Sequence, residues 1–280
     1  MFYISNNKQE LYDNIDTIGL KHEVVNKKDV LIKINLSGLY TKNLPRTDMT
    51  ILKTIISYTY QNGGKCAIAE GARGFLTENL INSGFEDVLK QYNIKVIDID
   101  SEDSEEVLSN GEKHYIPKCF KKYPVRIAIP ATSKREGMIY SNNIKLFVGA
   151  VPRKMYQFDN TDASRGEPRP KIHQNLHLSV ANLFLAVKSY SSFQFYINGG
   201  LSYNENIGEF NFKELFIGND ALELDSHIFQ KYFNDCEYPD YLDILKARIG
   251  HARTKVYQNG TLRSGKSIPQ ERKFTVNAQR

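Results

Sequence analysis

The chain of 280 residues has little cysteine: Cys66, Cys119 and Cys236 stand far apart and form no Cys-x-x-Cys pair. Iron–sulfur clusters and zinc knuckles need closely grouped thiolates, so no iron–sulfur cluster is expected, and three scattered thiols make no disulfide framework. An apolar run of membrane-spanning length is also missing, which argues against membrane insertion. Met1–Lys8 has no basic flank leading into an apolar core, so no cleaved signal peptide is expected and the cytoplasm is the default location. Internal repeats and low-complexity segments are lacking as well.

Basic charge is present but unevenly placed. The net charge is +5, yet residues 246–280 carry nine Lys or Arg against the single acid Glu271, leaving residues 1–245 at −3. The expected organisation is therefore one domain over 1–245 and a basic C-terminal arm over 246–280. Such an arm is either a solvated tail or a contact for phosphate, an anionic surface or a neighbouring subunit, which would make a homo-oligomer. No nucleic-acid-binding module or aromatic-rich basic platform accompanies it, so nucleic acid is not the expected partner.

Val30–Leu36 alternates and is rich in β-branched residues, which predicts a strand. Asp48 is placed to cap a helix through Ile51, Leu52, Ile55 and Ile56, and Cys66–Ala69 is the next strand. Two more strands are predicted at Ile94–Asp98 and Val125–Ile129, the latter stopped by Pro130. Phe158–Lys171 reads as a long polar loop, followed by a helix from about His173 to Lys188 and a strand at Phe193–Ile197. A strand-to-helix unit runs from Phe212 through Asp220 to Phe233. These elements imply an α/β fold: a mostly parallel sheet with helices on both faces, built from βαβ units.

In such sheets ligands sit beyond the carboxyl ends of the strands. Glu70-Gly71-Ala72-Arg73-Gly74 follows the second strand and precedes a helix near Thr77. It reads either as an anion cradle or as a plain βα turn whose glycines relieve strain. A positive φ, or a close backbone approach, is expected at Gly71 or Gly74. Lys33 and Asn35, two residues apart, would face the same side of the first strand, as an active-site cation with its neighbour or as edge-strand polarity.

His173 and His177, spaced i and i+4, would share a helix face and would hold a metal only if a third ligand converged; capping or solvent-facing roles are the competing reading. Gly260–Ser267 matches the P-loop expression, but a polar segment precedes it and Pro269 follows closely. Asn259-Gly260 fits a hairpin turn better, so no P-loop nucleotide site is expected.

Taken in order, these segments resemble the domain of unknown function 362 family over about residues 28–235. The resemblance lies in Ile32-Lys33-Ile34-Asn35, in Glu70-Gly71 followed by Thr77, and in Ile127–Pro130 with Lys134-Arg135-Glu136. It continues through Lys145 and Gly149, a histidine (His173 or His177) before a helix, Ile197-Asn198-Gly199, and Gly218-Asn219-Asp220 through Asp225. The chain departs from the family pattern at Glu136, Leu146 and Asn198, which replace a histidine, an asparagine and an acid. It also lacks the ferredoxin-like cluster domain that family members often bear.

Two functions remain open. The first is an enzyme acting on a small anionic substrate, phosphorylated or carboxylated. Lys33, Arg73, Lys134 and Lys145 would form one electropositive pocket, lined further by Asn35, Gly71, Gly74, Thr77, Asn198 and Asp220. Glu70, His173 or His177 would serve as general acid or base. The second is a non-catalytic anion-binding or regulatory protein that has lost motif residues.

Overall fold

The computed structural model describes residues 2–5, 8–36, 46–158, 169–250, 256–258 and 261–263. The chain opens with β1 (Phe2–Ser5), α1 (Lys8–Thr17), α2 (Leu20–Lys27), β2 (Asp29–Ile34), α3 (Met49–Gln61) and β3 (Lys65–Glu70). Next come α4 (Leu76–Asn82), α5 (Glu86–Gln91), β4 (Lys95–Asp98), β5 (Ser104–Ser109), β6 (Glu112–Pro117), α6 (Cys119–Lys122), β7 (Val125–Ile129) and β8 (Ser133–Lys134). Two 3-10 helices, Lys145–Ala150 and Arg153–Tyr156, precede α7 (Pro170–His173) and α8 (Leu176–Ser191). The remainder is β9 (Phe195–Asn198), β10 (Leu201–Asn204), β11 (Gly208–Asn211), β12 (Leu215–Gly218), α9 (Ala221–Tyr232), α10 (Tyr241–Ile249), β13 (Val256–Gln258) and β14 (Thr261–Arg263).

The main sheet runs β14-β13-β1-β12-β9-β7-β2-β3-β4. From β9 to β4 every pairing is parallel, whereas β12 is antiparallel to both β9 and β1. The fold is thus α/β with a mostly parallel sheet. Alternate residues of a strand face opposite ways, and β2 shows the result. Val30, Ile32 and Ile34 enter one apolar cluster with Ile51, Leu52, Ile55 and Ile56 of α3, while Leu31 enters a second with Leu183, Phe184 and Val187 of α8. Local chemistry sets the boundaries. Asp48 caps α3 by accepting from the N–H groups of Thr50 and Ile51, which would otherwise lack partners.

Several expectations need correction. The strand expected over Val30–Leu36 is β2 and ends at Ile34, because the backbone of Asn35 bonds Thr47 instead of a neighbouring strand. Asn35 therefore does not extend the strand alternation of Lys33. The single helix expected from about His173 to Lys188 is two, α7 and α8, since Asn175 leaves helical geometry at φ −135° and ψ 73°. His173 and His177 consequently belong to different helices.

The division drawn after residue 245 falls inside α10, which continues to Ile249. Beyond it, β13 pairs with β1, and β14 lies antiparallel to β13 with Gln258 opposite Thr261. Thr261–Arg263 of the P-loop match is thus strand; Gly260 and Ser264–Ser267 lie outside the described residues, as does Asn259.

Candidate functional site

Because β2, β3, β4 and β7 are parallel, their carboxyl ends share one edge of the sheet. There Lys33 Nζ donates to Glu70 Oε2 at 2.7 Å and to the Ile34 carbonyl at 2.7 Å. Lys33 is 0% exposed and Glu70 4%, so the ion pair is fully interior. Burial pushes the Lys33 ammonium down and the Glu70 carboxyl up, and each shift is opposed by the charge of the other. Burial thus narrows the gap between the two groups' proton affinities.

Beside it lies Asp100, two residues past β4. Its Oδ2 accepts from the Arg73 backbone N–H at 2.9 Å. Its Oδ1 accepts from the Arg153 backbone N–H at 3.0 Å and from Arg169 Nη2 at 2.7 Å. Arg169, immediately before α7, also donates through Nε and Nη2 to the Val151 carbonyl. The Arg153 guanidinium reaches the Arg73 carbonyl at 3.4 Å. One carboxylate thereby ties together the turn after β3, the second 3-10 helix and the start of α7.

Glycine permits this approach of backbone to charge. A Cβ on Gly71 would come 2.7 Å from Arg169 Nη2 and 2.8 Å from the Gly149 carbonyl. A Cβ on Gly149 would lie 3.2 Å from Glu70 Oε1. Positive φ falls at Arg73 (54°) and Gly74 (82°), and not at Gly71, whose role is close approach.

The other candidates scatter. Thr77 is exposed at the second position of α4. Lys134 is buried and paired with Glu205 on the small β11-β10-β8 sheet. Lys145, half-buried at the start of the first 3-10 helix, makes no ion pair among the described residues, and burial pushes it down to about 8. Of the four expected cations, Lys33 and Arg73 lie within electrostatic reach of Arg169.

Asp220 caps α9, accepting from Leu222 and Glu223. Exposed His173 contacts the Arg169 carbonyl through Nδ1, while His177 Nδ1 accepts from the Tyr241 N–H. Asn198 ends β9 inside a buried amide network: its Nδ2 donates to Asn142 Oδ1 and its Oδ1 accepts from Asn143 Nδ2. Asn143 in turn holds Asp225.

Sequence reading missed Asp100, Arg153 and Arg169. Arg169-Pro170 is a readable signal of a helix start, since proline favours the first helical turn. Nothing local marks the partner 69 residues earlier in the chain.

An open α/β sheet with a buried charge cluster at its carboxyl edge defines the class. Residues 30–230 match the model of the domain of unknown function (DUF362), and the chain belongs to that family. No curated protein sequence matches the chain.

Proposed function

We propose that this protein is an enzyme acting on a small anionic substrate, phosphorylated or carboxylated, bound at the carboxyl edge of β2, β3 and β4. The observation that carries this reading is the knot at Asp100, which takes the Arg169 guanidinium and the backbone N–H groups of Arg73 and Arg153 and so brings three arginine residues to this edge, beside the buried Lys33–Glu70 pair. Guanidinium groups match the planar, bidentate geometry of carboxylate and phosphate, and this edge is where such sheets bind ligands. Glu70, its acidity lowered by burial, is the group assigned to proton transfer, with Lys33 setting its charge state.

Layering supports the same placement. We read the two apolar clusters as helices packed on both faces of the sheet, with β2–α3–β3 as a βαβ unit, which leaves the strand ends as the open edge.

One observation favours a second reading, a non-catalytic anion-binding protein. Lys33 and Glu70 bond each other and are almost wholly enclosed, as a static structural pair would be.

Thermal unfolding in phosphate, sulfate, citrate and chloride at equal ionic strength tests the site. The three multivalent anions should raise Tm above chloride, and Arg73→Ala combined with Arg153→Ala should remove the difference. Equal Tm in all four salts would reject anion binding. To separate the readings, candidate phosphate esters are assayed for turnover with wild type and Glu70→Gln. Turnover lost in Glu70→Gln supports the enzyme; anion stabilisation without turnover supports the binding protein.

A further inference from the structure

On the side of the molecule formed by β6, the second 3-10 helix, α7 and α8 lies a cleft of about 730 Å³. That volume falls within the range of roughly 300–1,000 Å³ typical of small-molecule sites. One wall is aromatic: Tyr115 and Tyr156 meet edge to face with centroids 6.3 Å apart, and Phe158 adds a third ring.

Into this cleft faces His114, 5% exposed, with neither ring nitrogen hydrogen-bonded among the described residues. Buried polar groups are normally satisfied, so a histidine with two open nitrogens lining a roomy cleft is set up for a ligand. The Glu112 carboxylate is 3.7 Å from Nε2, beyond hydrogen-bond range. Burial pushes the imidazole below its ordinary value, so at neutral pH it offers one donor and one acceptor.

The charges at the cleft differ in availability. Lys113 is engaged by Glu106, whereas Lys154 and Lys171 make no ion pair among the described residues, and both are exposed.

We infer that this cleft binds a hydroxylated aromatic carboxylate, with the ring against Tyr115, Tyr156 and Phe158, the hydroxyl on His114 and the carboxylate at Lys154 and Lys171. A hydroxyl can donate to the bare imidazole nitrogen or accept from the N–H, so it engages whichever of the two nitrogens it reaches. A carboxylate, being costly to bury unpaired, belongs at the lysines. The inference does not rest on the anion site at the strand ends, although the two share the second 3-10 helix and α7.

The probe is 6-hydroxy-2-naphthoate, whose two polar groups lie at opposite ends of a flat ring system. It is titrated into the full chain while the imidazole signals of His114 are followed by NMR, assigned by their loss in His114→Gln. Saturable movement of those signals is expected. Removing either end of the probe, as in 2-naphthoate or 2-naphthol, should weaken binding about tenfold or more, as should Lys154→Ala with Lys171→Ala.

Leu183→Trp, which fills the cleft from α8, should abolish binding while leaving the phosphate-dependent rise in Tm unchanged. Ser179→Phe fills the same cleft should the first variant fail to fold. Unmoved His114 signals up to roughly 10 mM probe, corresponding to negligible affinity, would overturn the inference. So would binding that survives the filling variants. Equal affinity for all three probes would overturn the assigned chemistry.

Discussion

Lys33 Nζ lies 2.7 Å from Glu70 Oε2, and the two meet from the carboxyl ends of neighbouring parallel strands, with Lys33 paired to Ala69 in the register. Neither has water to fall back on, so each is the chief source of neutralisation for the other. Breaking such a pair from one side leaves a buried charge uncompensated, at a cost of about 3–5 kcal/mol. Glu70→Ala and Lys33→Ala should each lose stability on this scale in urea titrations. Lys33→Met with Glu70→Leu should recover most of the loss, because apolar replacement of both partners removes the desolvation penalty. Additive losses in the double variant would show that the two residues do not act as a pair.

Gly71 should not tolerate a methyl group. The atoms its Cβ would meet are not free to move: Arg169 Nη2 is held by Asp100 and the Val151 carbonyl, and the Gly149 carbonyl is backbone. Overpacking of this kind costs about 1–3 kcal/mol. Gly71→Ala should lower stability within that range and also weaken stabilisation by citrate, since the arginine it displaces belongs to the proposed anion site. A Gly71→Ala protein with wild-type stability would mean the turn can relax away from Arg169.

Lys145 should titrate apart from surface lysines. Burial pushes its ammonium down to about 8 from the ordinary 10.5, with no opposing carboxylate. The folded state therefore releases its proton first, and stability from this residue rises as pH increases between those two values. NMR of 13C-dimethylated lysines should show one resonance with a midpoint near 8, absent in Lys145→Arg. Titration of every lysine together with the surface group would show that Lys145 is solvated.

What could be read from sequence follows from which contacts are local. The segment from β2 through β3 was legible because alternating β-branched residues and the Asp48 cap each act within a few positions. β1 was not, since Phe2–Ser5 is four residues long and pairs with β12 more than 200 positions away. The hairpin of β5 and β6 was hidden by Glu105, Glu106, Glu112 and Lys113, which face solvent and mask its alternation. At the strand ends, Glu70 and Arg73 were visible through the glycines around them. Asp100 and Arg169 were not, because their meeting depends on how the long segment before α7 returns to the sheet. The four lysine and arginine residues were expected together because three of them follow or end predicted strands of one sheet, whereas Lys134 lies on β8 of a separate small sheet and pairs with Glu205.

Asp225 should give the protein a pH dependence of defined sign. The carboxylate is 0% exposed; its Oδ1 accepts from the backbone and side chain of Asn143, at 3.1 and 2.8 Å, and its Oδ2 from the Ile144 N–H at 3.0 Å. Burial outweighs these donors, and repulsion from Asp220 adds to it, so the group is pushed up to about 7 from the ordinary 3.8. Between those values the folded state holds a proton that the unfolded chain has released, so this residue's contribution falls as pH rises through the window. His227 acts oppositely: burial pushes it down to about 4 from 6.5, and its contribution is lost as pH falls through that range. The two slopes overlap in the wild type, and Asp225→Asn removes only the first. That substitution also sets an amide N–H₂ against the Asn143 or Ile144 donors, costing about 1–3 kcal/mol. Urea titrations at about pH 4.5 and about pH 7.5 should therefore show the wild type ahead of Asp225→Asn by more at the lower pH. An advantage that grows with pH would mean Asp225 is held ionised by its three donors, with burial the weaker effect.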